Sequence, residues 1–393
     1  MKNEEIIEDY PNYIINTYTR QPIAISHGKG IKVWDNDGKE YLDFFAGIAV
    51  SNLGHAHPNI LNALKEQSEK IIHCSNIYYN ENQLALAKLL NKLIPNSRIF
   101  FANSGAEANE GAIKLARKYT GKTEIISTKN SFHGRTLATI TATGQSKYSE
   151  PFKPLPAGFK HVTFGEINEL KNAINDNTAA IILEVVQGEG GIVVSDENYF
   201  KEVEKICKEN NVLLILDEVQ TGFGRCGKMF ASEIFNLKPD ITTVAKAIAG
   251  GFPMGAIIAN KKVAKGFKPG DHGTTFGGSP LACAVAIASI ETIINDDLLE
   301  NSEKLGKYFR THLLTLKDRY SFIKNVRGYG LMIGIELYIK CSNIVNKARE
   351  KGFLINCTAD NVIRLVPPLI IKKEEIDLLI ESLNEIFLDI QSE

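Results

Sequence analysis

Lys246 stands among small apolar residues, in Val244-Ala245-Lys246-Ala247-Ile248-Ala249-Gly250-Gly251. A lysine in such company can snorkel from a helix into water. Held away from water, its amine gives up its proton more readily and becomes a nucleophile toward a carbonyl. Two carboxylates close apolar runs, Glu184 after Ile182-Leu183 and Asp217 after Ile215-Leu216. A charge in that position either caps a neighbouring loop or meets a cationic ligand. Asn103-Ser104-Gly105-Ala106-Glu107-Ala108-Asn109-Glu110 is a small-residue turn opening a helical pattern. Free N–H groups at a helix start bind phosphate, although Ser104 would cap the helix in any case. Phe132-His133-Gly134-Arg135 adds a flat aromatic face and a guanidinium. Arg364, inside Val362-Ile363-Arg364-Leu365-Val366, needs a carboxylate partner to justify burial.

These groups together describe one ligand. It carries a phosphate for Gly105 and Ala106, a carbonyl for Lys246, a ring nitrogen for Asp217 and a flat ring for Phe132. Pyridoxal 5'-phosphate has all four. Two other patterns compete. Gly222-x-Gly224-x-x-Gly227 matches the dinucleotide fingerprint, which would make the chain an NAD-dependent oxidoreductase. However, Asp217-Glu218-Val219-Gln220-Thr221 separates those glycines from the strand, so they read as a loop. His55 and His57 have no third ligand nearby in sequence and read as a polar loop; no metal is expected.

The elements that must carry these residues are legible from periodicity. The first fifty residues look like an extended arm, with a hairpin over Lys29 to Tyr41 turning at Asp37-Gly38. Helical spacing follows in Ile60, Leu61, Leu64, Ile71 and Ile72, and again from Leu84 to Leu93. Short β-branched runs at 125–127, 180–183 and 212–216 alternate with helical stretches, as in a mostly parallel sheet buried on both faces. Such sheets bind ligands at the carboxyl ends of their strands. A second small α/β pattern, with strands at 332–337 and 362–366, ends in a helix from Glu374. The expected division is an arm over 1–50, a large domain over 51–295 and a small one over 296–393.

Composition excludes other classes. The 393 residues include 45 Lys plus Arg against 46 Asp plus Glu, a net charge of −1. No broad field attracts nucleic acid or an anionic membrane. The cysteines (Cys74, Cys207, Cys226, Cys283, Cys341, Cys357) are scattered, which predicts neither a zinc site nor a disulfide framework and favours a reducing compartment. Without an apolar leader in the first twenty residues, a soluble cytoplasmic protein is expected.

From Gly28-Lys29-Gly30 to Arg364-Leu365-Val366-Pro367-Pro368-Leu369, the chain resembles the class III (subgroup II) pyridoxal-phosphate aminotransferases, and within them the acetylornithine type. The motifs carrying the resemblance are Asn103 to Ala108, Phe132 to Thr136, Leu216 to Arg225 and Ala245 to Gly251. It implies the α/β architecture of PLP fold type I: a large domain with a mostly parallel central sheet, plus a small C-terminal α/β domain. It implies that Lys246 forms the Schiff base and shuttles the proton, while Asp217 keeps the pyridine nitrogen protonated. Ser104, Gly105 and Ala106 would hold the phosphate, Phe132 and Val219 would flank the ring, and Gln220 would contact its O3′. Glu184 would complete the cofactor site, and Thr275 would reach the phosphate in the other subunit of a homodimer. Arg135, Thr274, Tyr18 and Arg364 would bind substrate, with Glu189 neutralising Arg364 while a terminal amine is bound. The implied reaction moves the terminal amine of N2-acetyl-L-ornithine to 2-oxoglutarate, in arginine biosynthesis. Ornithine and succinyldiaminopimelate are the alternative donors on the same scaffold. Ile48, where the ornithine enzymes carry a tyrosine, favours an N-acylated donor, whereas Tyr18 matches another tyrosine of those enzymes.

Overall fold

The apolar runs read as buried strands form the middle of a seven-stranded sheet. A computed structural model describes residues 1–392. The strands lie in the order Ser97–Ala102, Gly255–Asn260, Ile241–Val244, Leu213–Asp217, Thr178–Leu183, Glu124–Thr128, Phe159–Val162. Every residue of Thr178–Leu183 and Leu213–Asp217 is buried, which is why these segments show no polar alternation. Only Gly255–Asn260 pairs antiparallel to its neighbours, so the other six strands point the same way. Their carboxyl ends therefore share one edge. The helix Gly105–Thr120 packs on the sheet through Ala108, Ala112, Ile113, Leu115 and Ala116, and those small side chains let it lie close.

A second sheet runs in the order Ile323–Tyr329, Met332–Leu337, Val362–Leu365, Asn356–Thr358. The closing helix Lys373–Ser392 buries Ile376, Leu379, Leu383, Ile386 and Phe387. The expected hairpin is present as Lys32–Asp35 and Glu40–Asp43, and the second strand pairs parallel with Phe353–Leu354. N-terminal and C-terminal segments thus share one sheet.

The structure differs from expectation in three places. The arm is not wholly extended: Asn3–Tyr13 is a helix, with none of its residues buried. The helix containing Ile60 ends at Ser68, which leaves Ile71 and Ile72 exposed rather than on its apolar face. The expectation that the scattered cysteines form no disulfide framework is corrected at one pair, a disulfide between Cys341 and Cys357, whose Cα atoms lie 5.7 Å apart. The helix Ser342–Glu350 and the returning chain bring together two residues that sequence alone showed only as scattered. Among the described residues, no helix is long and apolar enough to cross a membrane, and no cluster of three or more His, Cys, Asp or Glu side chains could hold a metal. His55 instead bonds Asp43 at 2.8 Å, and His57 caps the helix Pro58–Ser68.

Candidate active site

A cavity of about 460 Å³ opens at the shared carboxyl edge. Ser104, Gly105, Ala106, Phe132, Arg135, Glu184, Asp217, Val219, Gln220 and Lys246 all line it. One end is the start of the Gly105–Thr120 helix. Ser104 caps that helix, its hydroxyl accepting from the Glu107 N–H at 3.2 Å. The helix geometry leaves the N–H groups of Gly105 and Ala106 without intrahelical partners. A Cβ on Gly105 would come within 2.8 Å of Val219, so glycine there is what lets the 219 loop close against the helix start.

Asp217, 3% exposed, is held from several sides. One oxygen accepts from Asn109 Nδ2 and from His133 Nδ1, both at 2.8 Å, and the other accepts from the Val219 N–H at 3.0 Å. Thr243 in turn donates to Asn109 at 2.7 Å, which fixes the amide's orientation. Burial works against a charge on His133, yet the hydrogen bond and charge of Asp217 more than offset it and raise the imidazole's pKa.

Glu184 ties two loops together, accepting from the N–H groups of Phe132 at 3.1 Å and Gly188 at 3.2 Å. Burial pushes its pKa up to about 7. The cleft walls shield the Lys246 ammonium although part of the side chain is open to the cavity, and this desolvation lowers its pKa to about 8; the Glu189 charge works the other way. The backbone of Lys246 is left-handed, with φ +48°. Such a conformation costs a non-glycine residue of order 1 kcal/mol and persists where the surroundings impose it.

Arg364 Nη1 donates to Glu189 at 2.5 Å and to Gln220 at 3.3 Å, connecting this pair to the cavity lining. Burial alone would raise the Glu189 pKa, but the charges of Arg364 and Lys246 hold it below its usual value. Arg135 lies 3.9 Å above the Tyr148 ring. Ile48 lies two positions before the cavity-lining Val50 in sequence, in a run of left-handed residues, Ala46, Gly47, Ile48 and Ala49, and is not itself part of the lining. Asp43 starts that turn by accepting the N–H groups of Phe45 and Ala46 at 2.9 and 2.8 Å.

Three expected residues lie elsewhere. Tyr18 is 72% exposed, Thr275 is exposed, and Thr274 bonds Asn103 at 3.1 Å from outside the lining. Sequence reasoning gives Asn109 and His133 no role, although both stand inside the motifs. Their signal is position: each follows a phosphate or ring candidate on the same short segment.

The residues 13–387 match the family model described as Aminotransferase class-III. The chain belongs to the class-III aminotransferases. It is 58% identical to the acetylornithine aminotransferase of Methanothermobacter thermautotrophicus over 390 residues, 99% of this chain and 100% of that one. It is 48% identical to the acetylornithine aminotransferase of Aquifex aeolicus, over 95% of this chain and 99% of the relative. Among solved structures, the ornithine aminotransferase of Toxoplasma gondii superposes with a TM-score of 0.96 at 33% identity, covering 100% of this chain and 96% of that one. The acetylornithine aminotransferase of Elizabethkingia anophelis gives 0.89 at 34% identity, covering 99% and 100%. As a class-III aminotransferase, the chain is a pyridoxal-phosphate-dependent transaminase of PLP fold type I. The cleft fits that cofactor. It offers unpaired helix-start N–H groups for a phosphate, a braced carboxylate for a ring nitrogen, Phe132 and Val219 on its walls, and a desolvated amine.

Proposed function

We propose that this site transfers the terminal amine of N2-acetyl-L-ornithine to 2-oxoglutarate, giving N-acetyl-L-glutamate 5-semialdehyde and L-glutamate, a step of arginine biosynthesis. The observation that carries the choice of donor is the Arg364–Glu189 pair beside the cavity, joined to full-length likeness to acetylornithine aminotransferases. When bound, pyridoxal phosphate supplies an electron sink for the donor carbon that loses its proton. Lys246 Nζ takes that proton and returns it, a role suited to an amine with pKa near 8. Asp217, braced by Asn109 and His133, would hold the ring nitrogen of the cofactor in place. Gly105 and Ala106 would hold the phosphate through their N–H groups, Phe132 and Val219 would flank the ring, and Gln220 would contact its O3′.

Glu189 cancels the charge of Arg364 while the donor's terminal amine is bound, because the carbon bearing that amine carries no carboxylate to pair with the guanidinium. When a dicarboxylate arrives, Glu189 moves aside and Arg364 takes a carboxylate, with Arg135 taking the other. One cleft thereby serves two unlike substrates in turn. Ornithine is the second reading, favoured by the likeness to the Toxoplasma structure. Ile48 weighs against it, since an apolar side chain offers nothing to a free α-ammonium group.

The same reading makes the enzyme a cytoplasmic homodimer with shared sites. Exposed Ile72, Ile77, Tyr78, Leu84 and Phe276 are the apolar side chains that a second copy would cover, and Thr275 would then reach the partner's cofactor. Steady-state rates with acetylornithine, succinyldiaminopimelate and ornithine test the donor; a higher kcat/KM for ornithine reverses the assignment. Borohydride should fix the cofactor to Lys246, and Lys246→Ala should abolish both that linkage and turnover.

A further inference from the structure

The strand Asn356–Thr358 has no counterpart in the sequence expectations, and it touches both members of the Arg364–Glu189 pair. It runs antiparallel to Val362–Leu365, with Asn356 directly opposite Arg364. Residues opposed across such a ladder project from the same face of the sheet. Asn356 Oδ1 accepts from Arg364 Nε at 3.1 Å and from Nη2 at 2.8 Å. Alternation places Thr358 on that face as well, and its hydroxyl donates to the Glu189 carbonyl at 2.7 Å. Cys357 projects from the other face, where it is bonded to Cys341. The strand is thus tied from behind while its front side grips the ion pair.

We propose that Asn356 is a positioning residue that keeps Arg364 in place when Glu189 leaves it, and so sets the affinity of the cleft for dicarboxylates. The inference rests on the roles proposed above for Arg364 and Glu189. A guanidinium has five donors in a rigid fork. Asn356 engages the Nε–H and one Nη2 hydrogen, while Glu189 and Gln220 share Nη1. Departure of Glu189 frees the Nη1 hydrogen that it held, leaves the Asn356 and Gln220 contacts intact, and so leaves the fork turned toward the incoming carboxylate. The chemistry also explains an amide here rather than an acid. An amide oxygen orients the guanidinium without cancelling its charge, whereas an aspartate would be a permanent competitor for the substrate.

The test compares Asn356→Leu, which removes the acceptor while keeping the branching and the number of side-chain heavy atoms, with Asn356→Asp, which keeps the acceptor and adds an anion. Binding of glutarate, an unreactive dicarboxylate, to the holoenzyme is measured by calorimetry, and the two half-reactions are timed separately. For Asn356→Leu, glutarate binding weakens and half-saturation with the dicarboxylate acceptor requires a concentration higher by about tenfold or more, while the amine-donor half-reaction slows by no more than about threefold. Asn356→Asp weakens glutarate binding at least as much with the thermal midpoint retained, an outcome that a purely structural role would not give. Glutarate affinity within about twofold of the parent in both variants overturns the proposal, as does an equal loss in both half-reactions. If acetylornithine proves not to be the donor, glutarate and 2-oxoglutarate still read out Asn356 alone.

Discussion

Arg225 and Arg364 are the two largest fully buried side chains of the molecule as described, and they are satisfied in opposite ways. Arg225 donates to the carbonyls of Leu331 and Pro367 and to the Asn52 side chain, with no carboxylate among these partners. Burial pushes its pKa down to about 9, which still leaves it cationic at neutral pH. Arg364 faces an anion, Glu189, together with the neutral amides of Asn356 and Gln220. The two backbone carbonyls cannot turn away from Arg225 without moving the chain, so that guanidinium joins three segments permanently. A glutamate side chain can rotate away from Arg364. Burial depth is the same in the two cases; what separates a fixed brace from the receptor role proposed for Arg364 is whether the partner can leave.

Substitutions can break or sharpen this contrast. Arg225→Met strips donors from two carbonyls and an amide, at about 1–3 kcal/mol for each buried acceptor left unpaired. Urea unfolding of the holoenzyme should show a loss of about 3 kcal/mol or more; a loss below about 1 kcal/mol would erase the contrast. Arg364→Met should cost less stability but lower kcat/KM for 2-oxoglutarate by about 100-fold, roughly 3 kcal/mol of lost carboxylate binding. Should unfolding instead reveal an equal loss in both variants, Arg364 is a second brace. Glu189→Gln should slow the terminal-amine half-reaction about tenfold more than the glutamate half-reaction; stopped-flow absorbance of each half-reaction reads this directly. Equal slowing removes the exchangeable partner from the comparison.

The smallest effect concerns a third cation, the partly buried Lys246. In the proposed reaction its neutral amine is the form that attacks the cofactor's carbonyl, and desolvation lowers its pKa from 10.5 to about 8. The neutral fraction rises with pH, so uptake of pyridoxal phosphate by the apoprotein should accelerate through a midpoint near 8. A midpoint near 10.5 would mean that the cleft does not desolvate the amine.

These groups differ in how far the sequence reveals them. Lys246, Asp217, Glu184 and the Ser104 turn are legible because each lies at the end of an apolar run, and parallel strands deliver their ends to one edge. Arg364 stands out because a charge interrupts a strand. Arg225 does not, although its loop is conspicuous for its glycines. Its partners lie 106, 142 and 173 residues away, and no local pattern reports them. Asn356 is hidden for a related reason: a three-residue strand is too short for alternation to register, and the disulfide behind it needs the helix Ser342–Glu350 in place before its two cysteines meet.

The left-handed turn at Ala46–Ala49 has an evolutionary consequence. Four successive residues occupy a region that only glycine, and to a lesser degree asparagine or aspartate, enters cheaply. At Ile48 a β-branched side chain stands where backbone preference alone would select glycine. On the donor choice proposed above, substitutions there would be filtered twice, by the conformation and by the donor, and the two filters would disagree. Glycine at position 48 would ease the backbone while removing the apolar side chain on which that choice is proposed to rest, so drift toward stability and retention of the donor would pull this one site in opposite directions.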